Sequence, residues 1–488
     1  MFAMINNDNP TTMKLSSSLL NRLILILALS PGFGFSLMAQ QPGNFRLSLN
    51  TSGLYSGGKD LPFWFSSNRQ GIFEQAHNAW ALADLSLVKS YRDSVKSKWD
   101  YTLGLRGLDA RGIGNYFQPN EWYAGVRFEF MKIQLGAWPE ATLYHGLSST
   151  NGDMHWSNNT RPLPRIRLST DGFILLPFVH EWYISLEYDE GLLNDERYVM
   201  NAHLHHKSGY LRKALKKDLL FSIGLEHYAM WGGTSPDLGE LPGLDSYLRY
   251  VFVFNGTNKF ASTDQGHVAG NSLGAYYLRL EKLKPNGKIT WFLDHPFDDR
   301  VTWQNFRDNL YGMVFESNEK KLLSNWVLEL MYTNNQNVIR DENGNSIRLY
   351  NENYFRHGIY SSGFSYRYRM ISSPFFTPLV IKDGVNLGTG NNRIVLIHAG
   401  LEGYFRERIR WKTLLSFSSN KGTFDKIYDQ VNPGFFNEWK DQLSGYAEIN
   451  YLLPDQGWNF AFSLAADKGQ MLGDQLGAQL SIRKTVSF

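Results

Sequence analysis

The sequence has no cysteine, comparatively few charged residues and, past its N-terminal region, no apolar run long enough for a membrane-spanning helix. Without cysteine, the chain cannot form disulfides, thiolate zinc sites or a cysteine nucleophile. Charged residues make up 19% of the 488 positions, below the ~25% of an average soluble protein, and the formal net charge is only +3. This composition argues against disorder and offers no basic surface for nucleic acid, so we expect no nucleic-acid partner.

The N-terminus predicts a secretory signal peptide over residues 1–39. Lys14 and Arg22 precede the apolar run 23–29, and the small residue Ala39 stands at a plausible cleavage point. The apolar run is far shorter than the ~20 residues that a spanning helix needs. We therefore expect export of the chain, with everything after the signal peptide, residues 40–488, forming a single domain.

Beyond the signal peptide, apolar and polar residues alternate, which indicates strands with one apolar face. In one such run the apolar set is Trp122, Ala124, Val126, Phe128 and Phe130. Similar runs occur at 182–188, 276–281, 289–293, 409–417 and 476–483. An Asn-Gly turn at 286–287 between two of these runs predicts a hairpin. Aromatic residues, at 15% of the chain, are also typical of strands.

The aromatic residues distinguish two classes of β protein that both show such alternation. A soluble sandwich or propeller usually buries Val, Ile and Leu, whereas here Trp, Tyr and Phe stand at many strand ends, as the aromatic girdles of outer-membrane barrels require. A closed barrel is also the only β-structure that satisfies every backbone group in lipid. The final alternating run leads to a terminal Phe488, which resembles the signal read by the outer-membrane barrel assembly machinery. We therefore predict an all-β fold, an antiparallel transmembrane β-barrel of about 16–18 strands in the bacterial outer membrane.

A barrel of this width has a polar lumen, which is either an open channel or a plugged one. The polar residues that alternate with the apolar ones would line it. The candidates for lumen-lining residues are Arg127, Glu129, Glu187, His203, His205, Arg279 and Glu281.

Three groups of residues invite a catalytic or metal-binding interpretation, and each has a simpler one. Residues 270–274 match G-x-S-x-G, but the alternating strand that follows favours a glycine-rich turn over a nucleophile elbow. His203 and His205 share a strand face next to His206, without a third metal ligand in register. Residues 294–299 place a histidine among carboxylates, an arrangement suited to acid–base hydrolysis but common in acidic loops. We assign no catalytic residue, metal or cofactor.

Polysaccharide binding has better support, because Trp residues occur beside Asn, His, Asp and Arg outside the predicted strands. An aromatic ring can cover the apolar face of a sugar while amides, carboxylates and Arg hydrogen-bond its hydroxyls. The alternative is that these Trp residues belong to the interfacial belt or pack within loops. The candidate binding residues are Trp156, Asn158, Asn159, Arg161, Trp231, His295, Asp298 and Asp299.

Several short motifs, in a shared order, resemble the Wzi-type capsule assembly proteins in the form found among Bacteroidetes. They are DLPFW at 60–64, NRQG at 68–71, EWYAG at 121–125, SNNTRPLP at 157–164, HLHHK at 203–207, LEH at 225–227, WGG at 231–233, GNSLG at 270–274, HPFDD at 295–299 and DNLYG at 308–312. Each motif alone is weak, but their common order is fairly specific and covers most of the mature chain.

The resemblance implies a large outer-membrane barrel of about 18 strands without enzymatic activity. It implies that the protein binds capsular or exopolysaccharide at the cell surface, as a lectin that organises the capsule. Enterobacterial members carry a helical N-terminal segment that helps plug the barrel, whereas here only residues 40–59 precede the first motif. The resemblance therefore leaves open whether this lumen is plugged.

We expect a capsule assembly protein with capsular or exopolysaccharide, outer-membrane lipid, lipopolysaccharide and the barrel assembly machinery as partners. The alternative is a porin for saccharides or other small solutes, which the same barrel would suit. A surface glycosidase that uses Asp298 or Asp299 is a third possibility.

Overall fold

A computed structural model of the chain describes residues 45–92, 98–112, 114–252, 270–298, 307–336, 338–340, 343, 346–348 and 353–488. The predicted signal peptide, residues 1–39, and the binding candidate Asp299 lie outside these residues. Within them, none of the helices is long and apolar enough to cross a membrane.

Eighteen antiparallel strands form one closed barrel, which confirms the predicted fold class. Each strand pairs with its neighbours in chain order, and the last pairs with the first, from Arg46 opposite Ser487 to Ser56 opposite Gly477. This closure pairs the backbone of the two strands that would otherwise be edges, as hydrocarbon requires. Labelled β1 to β18 in chain order, with Ile174–Leu175 continuing β6, the strands are Phe45–Ser56, Ala79–Lys89, Trp99–Gly112, Gly114–Phe128, Met131–Ala137, Pro164–Thr170, Trp182–Leu193, Ala202–Lys216, Leu219–Trp231, Asn271–Lys284, Gly287–Asp298, Asn309–Ser317, Asn325–Tyr332, Ile394–Arg406, Ile409–Asn420, Lys440–Leu453, Trp458–Gly469 and Gln475–Ser487.

Burial alternates along the strands, as β13 illustrates. Leu328 and Leu330 are 49% and 42% exposed, whereas Val327, Glu329 and Met331 are almost completely buried. Because successive side chains of a strand point to opposite faces, the two leucines face outward and the other three face the lumen. Exposed leucine on the outer surface is stable where that surface contacts lipid.

The predicted outward face of β4 is confirmed, since Trp122, Val126 and Phe128 are exposed together. The strand ends at Phe128, two residues before the alternation ends in the sequence. Glu129 then adopts a positive φ of 51° in the turn to β5. The predicted hairpin at the Asn-Gly turn is also confirmed, because β10 and β11 pair as far as Lys284 opposite Gly287.

The connections between strands differ in length at the two ends of the barrel. At one end the strands are joined by short connections such as 129–130, 217–218, 285–286 and 407–408. At the other end stand the longest connections, which are 57–78, 138–163, 232–270, 333–393 and 421–439. Outer-membrane barrels have short periplasmic turns and long extracellular loops, so we assign the long connections to the extracellular side, the outer end.

Three of these outer connections fold back into the barrel, and we call them the plug: residues 57–78, 138–163 and 353–393. One buried apolar cluster contains plug residues Phe65, Leu147 and Phe364 together with other apolar residues that the strands direct inward. Packing of this kind contributes roughly 1.5–3 kcal/mol for each fully buried large apolar side chain. The outer part of the lumen is therefore a packed core.

Among the described residues, the helices and hairpins outside the barrel wall are short, and they are as follows. The α-helices are α1, Phe63–Ser66, in the plug, and α2, Tyr247–Val251, in the connection between β9 and β10. The 3₁₀ helices are Tyr144–Gly146, Leu244–Ser246, Ile427–Gln430, Phe435–Asn437 and Pro454–Gln456. The small hairpins pair Thr234–Ser235 with Gly239–Glu240, Val338–Arg340 with Ser346–Arg348, Ser365–Tyr366 with Arg369–Met370, and Leu379–Lys382 with Val385–Thr389.

A charge placed on the lipid-facing surface tests the orientation of the strands. Leu415 lies near the middle of β15 and is 51% exposed, so Leu415→Arg should lower the free energy of unfolding by about 2–4 kcal/mol. Leu323, 46% exposed in a short connection, is the matched control, and Leu323→Arg should cost no more than about 1 kcal/mol. Urea unfolding in lipid vesicles measures both, and equal losses would contradict the assigned lipid face.

Candidate functional site

Polar side chains that the strands direct into the lumen hold the plug in place. Glu329 of β13 accepts hydrogen bonds from the hydroxyls of Ser148 and Ser149, both at 2.5 Å, and from the Ser149 N–H at 2.8 Å. His398 of β14 lies 2.7 Å from the Leu147 carbonyl through Nε2. A buried carboxylate without donors is costly, so these contacts favour the plugged state of the barrel.

The first plug segment is fixed to the wall in the same way. Asp467 of β17 accepts a hydrogen bond from the Phe63 N–H at 2.7 Å, at the start of α1 where helical N–H groups lack partners. Arg69 donates to Gln479 of β18 at 2.7 Å. The first two plug segments are therefore anchored through groups that face inward on the strands.

The predicted binding residues Asn158 and Asn159 join the plug segments to one another. The Asn158 carbonyl accepts a hydrogen bond from the Gln70 N–H at 2.7 Å, and its side-chain amide donates to the Glu140 carbonyl at 3.1 Å. The Asn159 amide donates to the Met370 carbonyl at 3.1 Å. Both asparagine side chains are buried, so their observed contacts are internal to the plug.

Trp156 and Arg161, in the same plug segment, are half-buried. The Trp156 ring lies 6.0 Å from the Tyr228 ring, and the Arg165 guanidinium lies over the Trp156 ring at 4.9 Å. Trp156 thus packs against inward-facing residues of the barrel wall and keeps part of its surface exposed.

His203, His205 and Trp231 lie on the outer face of the barrel wall, whereas the sequence predicted the two histidines in the lumen. His203 and His205 lie on the same face of β8 as Leu211, which is exposed toward lipid, and Trp231 of β9 pairs with His203. The His203 ring stacks on Trp231 at 4.3 Å, and His205 Nδ1 lies 2.6 Å from Glu190 Oε1. Rings of α2 cover this group, which keeps it buried outside the lumen.

His206, on the other face of β8, points into the lumen. Its Nδ1 lies 2.9 Å from Asp189 Oδ2. Arg167 donates to the other oxygen of Asp189 at 2.7 Å and approaches the predicted lumen residue Glu187 at 2.9 Å. The cation of Arg167 therefore compensates both carboxylates of this group.

The predicted binding residues His295 and Asp298 lie on opposite faces of β11. His295 lies on the same face of β11 as the lipid-exposed Trp291, but it is buried. Its Nδ1 is 3.0 Å from both the Asn309 side-chain oxygen and the Asp308 carbonyl. Asp298 faces inward and is buried as well. The structure therefore places His295 on the opposite side of the barrel wall from Trp156.

The G-x-S-x-G motif enters a strand, as the turn interpretation predicts, since β10 begins at Asn271. Ser272 Oγ lies 2.9 Å from His227 Nε2. Among the described residues, His227 Nδ1 has no hydrogen-bond partner, so the pair lacks the carboxylate that orients the ring in a serine hydrolase.

The remaining lumen candidates are charged residues nearer the short connections. Arg127 points inward on β4 and pairs with Asp171 at 2.8 Å. Arg279 and Glu281 lie on the inward face of β10, and Glu281 is 3.0 Å from Arg212. Glu129 instead lies in its turn and pairs with Lys98 at 2.6 Å.

Asp153 and His155 of the second plug segment lie close to the carboxyl groups of Glu226 and Asp294, which the wall strands direct into the lumen. Burial, with the nearby carboxylates of Glu226 and Asp294, raises the pKa of Asp153 well above its usual range. Burial also lowers the pKa of His155 to about 4. Both shifts favour the uncharged forms of these side chains within the lumen.

The third plug segment and the connection between β7 and β8 together present a polar aromatic group of residues that the sequence analysis missed. We call it the outer patch: Asn194, Glu196, Tyr198, Arg367 and Tyr368. The Tyr368 hydroxyl is 3.4 Å from the Glu196 carboxylate, and the Arg367 N–H donates to Asp195 at 2.8 Å. Arg367 and Tyr368 are both exposed.

The hairpin turn that presents the outer patch is strained. Arg367 and Tyr368 have positive φ values of 47° and 58°, in a turn where Asn and Gly are normally preferred. Buried Arg197 holds the turn from below by donating to the carbonyls of Gly363 and Ser365 at 3.2 and 3.0 Å. Strain of this kind is retained where the surrounding structure fixes a functional surface. The turn residues carry no Gly or Asn signal that sequence reasoning could have used.

Comparison with known proteins adds a family and similar folds. The family model described as capsule assembly protein Wzi matches residues 89–377. Among solved structures, the chain is similar to Wzi of Escherichia coli, an outer-membrane protein involved in group 1 capsule assembly and described as a carbohydrate-binding β-barrel. The identity is 15% and the TM-score 0.56, over 96% of this chain and 88% of that one.

The chain is also similar to two Pseudomonas aeruginosa proteins. OccK5 (OpdH) is 9% identical with a TM-score of 0.47, over 91% of this chain and 98% of that one. OpdL is 9% identical with a TM-score of 0.46, over 91% and 99%. At these identities, likeness to solved structures bears on the fold alone. None of the curated proteins compared with the chain matches it significantly.

Loss of the Glu329 carboxylate should loosen the plug. Glu329→Ala leaves two serine hydroxyls without their acceptor, and hydrogen bonds to a charged group contribute about 1.5–3 kcal/mol each. We expect amide hydrogen exchange at residues 147–152 to become at least about tenfold faster. Glu319→Ala, at an exposed residue paired with Lys321, is the matched control and should leave this exchange unchanged. Unchanged exchange in Glu329→Ala would show that the carboxylate does not anchor the plug.

Proposed function

Because the chain belongs to the Wzi capsule assembly family, we propose that it binds and organises capsular or exopolysaccharide at the cell surface without catalysing a reaction. The observation that carries the proposal is the plug, which fills the outer part of the barrel and presents the outer patch on a fixed support. A barrel filled in this way suits binding at its outer surface better than passage of solutes.

The outer patch has the chemistry that a polysaccharide requires. The exposed Tyr368 ring offers an apolar face for sugar C–H groups, and Arg367, Glu196 and Asn194 offer donors and acceptors for hydroxyls. Because Arg197 fixes the turn from below, little conformational entropy is lost when a glycan binds. We propose that this patch makes the main direct contact.

The residues predicted from the sequence take two roles in this proposal. Trp156 and Arg161, half-buried in the plug, stay candidates for direct contact with the glycan. The buried members of the predicted set shape the support under the binding surface; they are Asn158, Asn159, Trp231, His295 and Asp298. Export through a signal peptide, contacts with lipopolysaccharide and assembly by the barrel machinery belong to the same proposal.

Substitution within the outer patch tests the contact directly. Tyr368→Ala and Arg367→Ala should each weaken binding of the producing bacterium's own purified capsular polysaccharide by about 5–30-fold, since hot-spot contacts contribute about 1–2 kcal/mol. Phe178→Ala changes a 96% exposed aromatic residue in the connection between β6 and β7, at the short-connection end, and serves as the matched control. Calorimetry with the mature protein in detergent measures all three affinities. Equal affinity of the patch variants and the control would show that the outer patch does not contact the polysaccharide.

Conductance separates polysaccharide binding from the porin alternative. Since the plug packs against the inward faces of the strands, the mature protein in planar bilayers should show no large, steady openings. Replacement of residues 138–163 by a short Gly-Ser turn should produce such openings, because it removes the plug segment held by Glu329 and His398. Steady large conductance of the intact protein would favour a porin.

A further inference from the structure

Two plug residues and one wall residue meet in the lumen with metal-ligating atoms directed at one another. The ligating atoms of Asp153, His155 and Asp294 all lie within 4.8 Å of one another. Asp153 and His155 belong to the plug, whereas Asp294 faces inward on β11. The intervening Met154 N–H donates to Asp294 Oδ2 at 2.7 Å, which fixes the plug segment against the strand at this point.

Two of the three residues each have a potential ligand atom that is buried and has no partner among the described residues. The His155 side chain is 1% exposed, and among the described residues its Nδ1 has no hydrogen-bond partner; it lies 4.0 Å from Asp153 Oδ1. Asp294 is fully buried, and its Oδ1 likewise has no partner in the described part of the chain. Buried polar atoms usually have a hydrogen-bond or metal partner, so two partnerless atoms within one cluster of possible ligands favour a metal site here.

A second group of possible metal ligands differs from the first because its carboxylates already pair with a cationic side chain. Glu187, Asp189 and His206 also cluster, but the carboxylates there pair with Arg167 at 2.9 and 2.7 Å, and His206 Nδ1 is 2.9 Å from Asp189. That group carries its own cation. At Asp153 and Asp294 the nearby charged group is instead Glu226, which lies 3.7 Å from His206 Nε2 and supplies no cation to this cluster.

We propose that Asp153, His155 and Asp294 bind a divalent transition-metal ion that joins the plug to the barrel wall. One imidazole nitrogen and two carboxylate oxygens form a ligand set that suits Zn²⁺ and neighbouring divalent ions. The Asp153 side chain is 20% exposed, so the ion has access from the partly open side of the group. The site goes beyond polysaccharide binding and does not depend on it.

Titration with Zn²⁺ tests the site. The mature protein, purified in detergent without a histidine tag and stripped with a chelator, should bind one Zn²⁺ per chain in calorimetry. Asp294→Asn and His155→Gln should weaken this binding at least about tenfold, the lower limit of what loss of even an outer-sphere partner costs. Glu187→Gln, in the second group, is the matched control and should bind as the unaltered protein does.

A stability readout keeps the test decisive if the fully buried Asp294 variant fails to fold. The unfolding temperature of the unaltered protein should rise with Zn²⁺ concentration, as for any ligand of the folded state. The part-exposed variant Asp153→Asn should lose this rise. Absence of saturable binding, binding equally tight in the Asp153 and His155 variants, or loss of binding in Glu187→Gln instead would each overturn the proposal.

Discussion

The structure depends on one constraint: a sheet in hydrocarbon must close, and eighteen strands close around more space than their own side chains can fill. The chain fills the outer part of that space with its own extracellular connections. Polar side chains on the inward faces, such as Glu329, Asp467 and His398, bind backbone and hydroxyl groups of the plug. Apolar packing thus acts on all three plug segments, and these buried hydrogen bonds act on the first two.

The plug also explains why the outer surface can be specific without being flexible. Long loops are usually mobile, but here their lower parts are buried against the wall and against each other, for example through Asn159 and Met370. The strained turn at Arg367 and Tyr368 is maintained because buried Arg197 donates hydrogen bonds to the carbonyls that precede it. A surface supported in this way can bind an extended glycan at low entropic cost.

The sequence predicted what lipid dictates and missed what tertiary packing decides. Where a strand crosses hydrocarbon, one face must be apolar. The outward direction of Trp122, Val126 and Phe128 could therefore be predicted from the alternation in the sequence. At the outer ends of β8 and β9 both faces are covered, by the plug inside and by α2 outside. The alternation then disappears, and nothing in the local sequence shows that His203 and His205 face outward.

Tertiary packing also explains why the sequence did not predict the plug. Its residues carry Trp, Asn and Arg side by side, which is typical of a binding loop, yet Asn158 and Asn159 use those groups to join segments distant in the sequence. Such pairings have no short-range pattern. The outer patch was missed because it combines the connection after β7 with a hairpin far along the chain.

Thiol labelling tests most directly whether outer connections fold into the barrel, since the natural chain has no cysteine. Ser372 is fully buried and Asp383 is exposed, both in the third plug segment. On intact cells, a membrane-impermeant maleimide should react with Asp383→Cys and should react with Ser372→Cys only after the protein is unfolded. Reaction of both variants at the same rate on intact cells would contradict the plugged barrel.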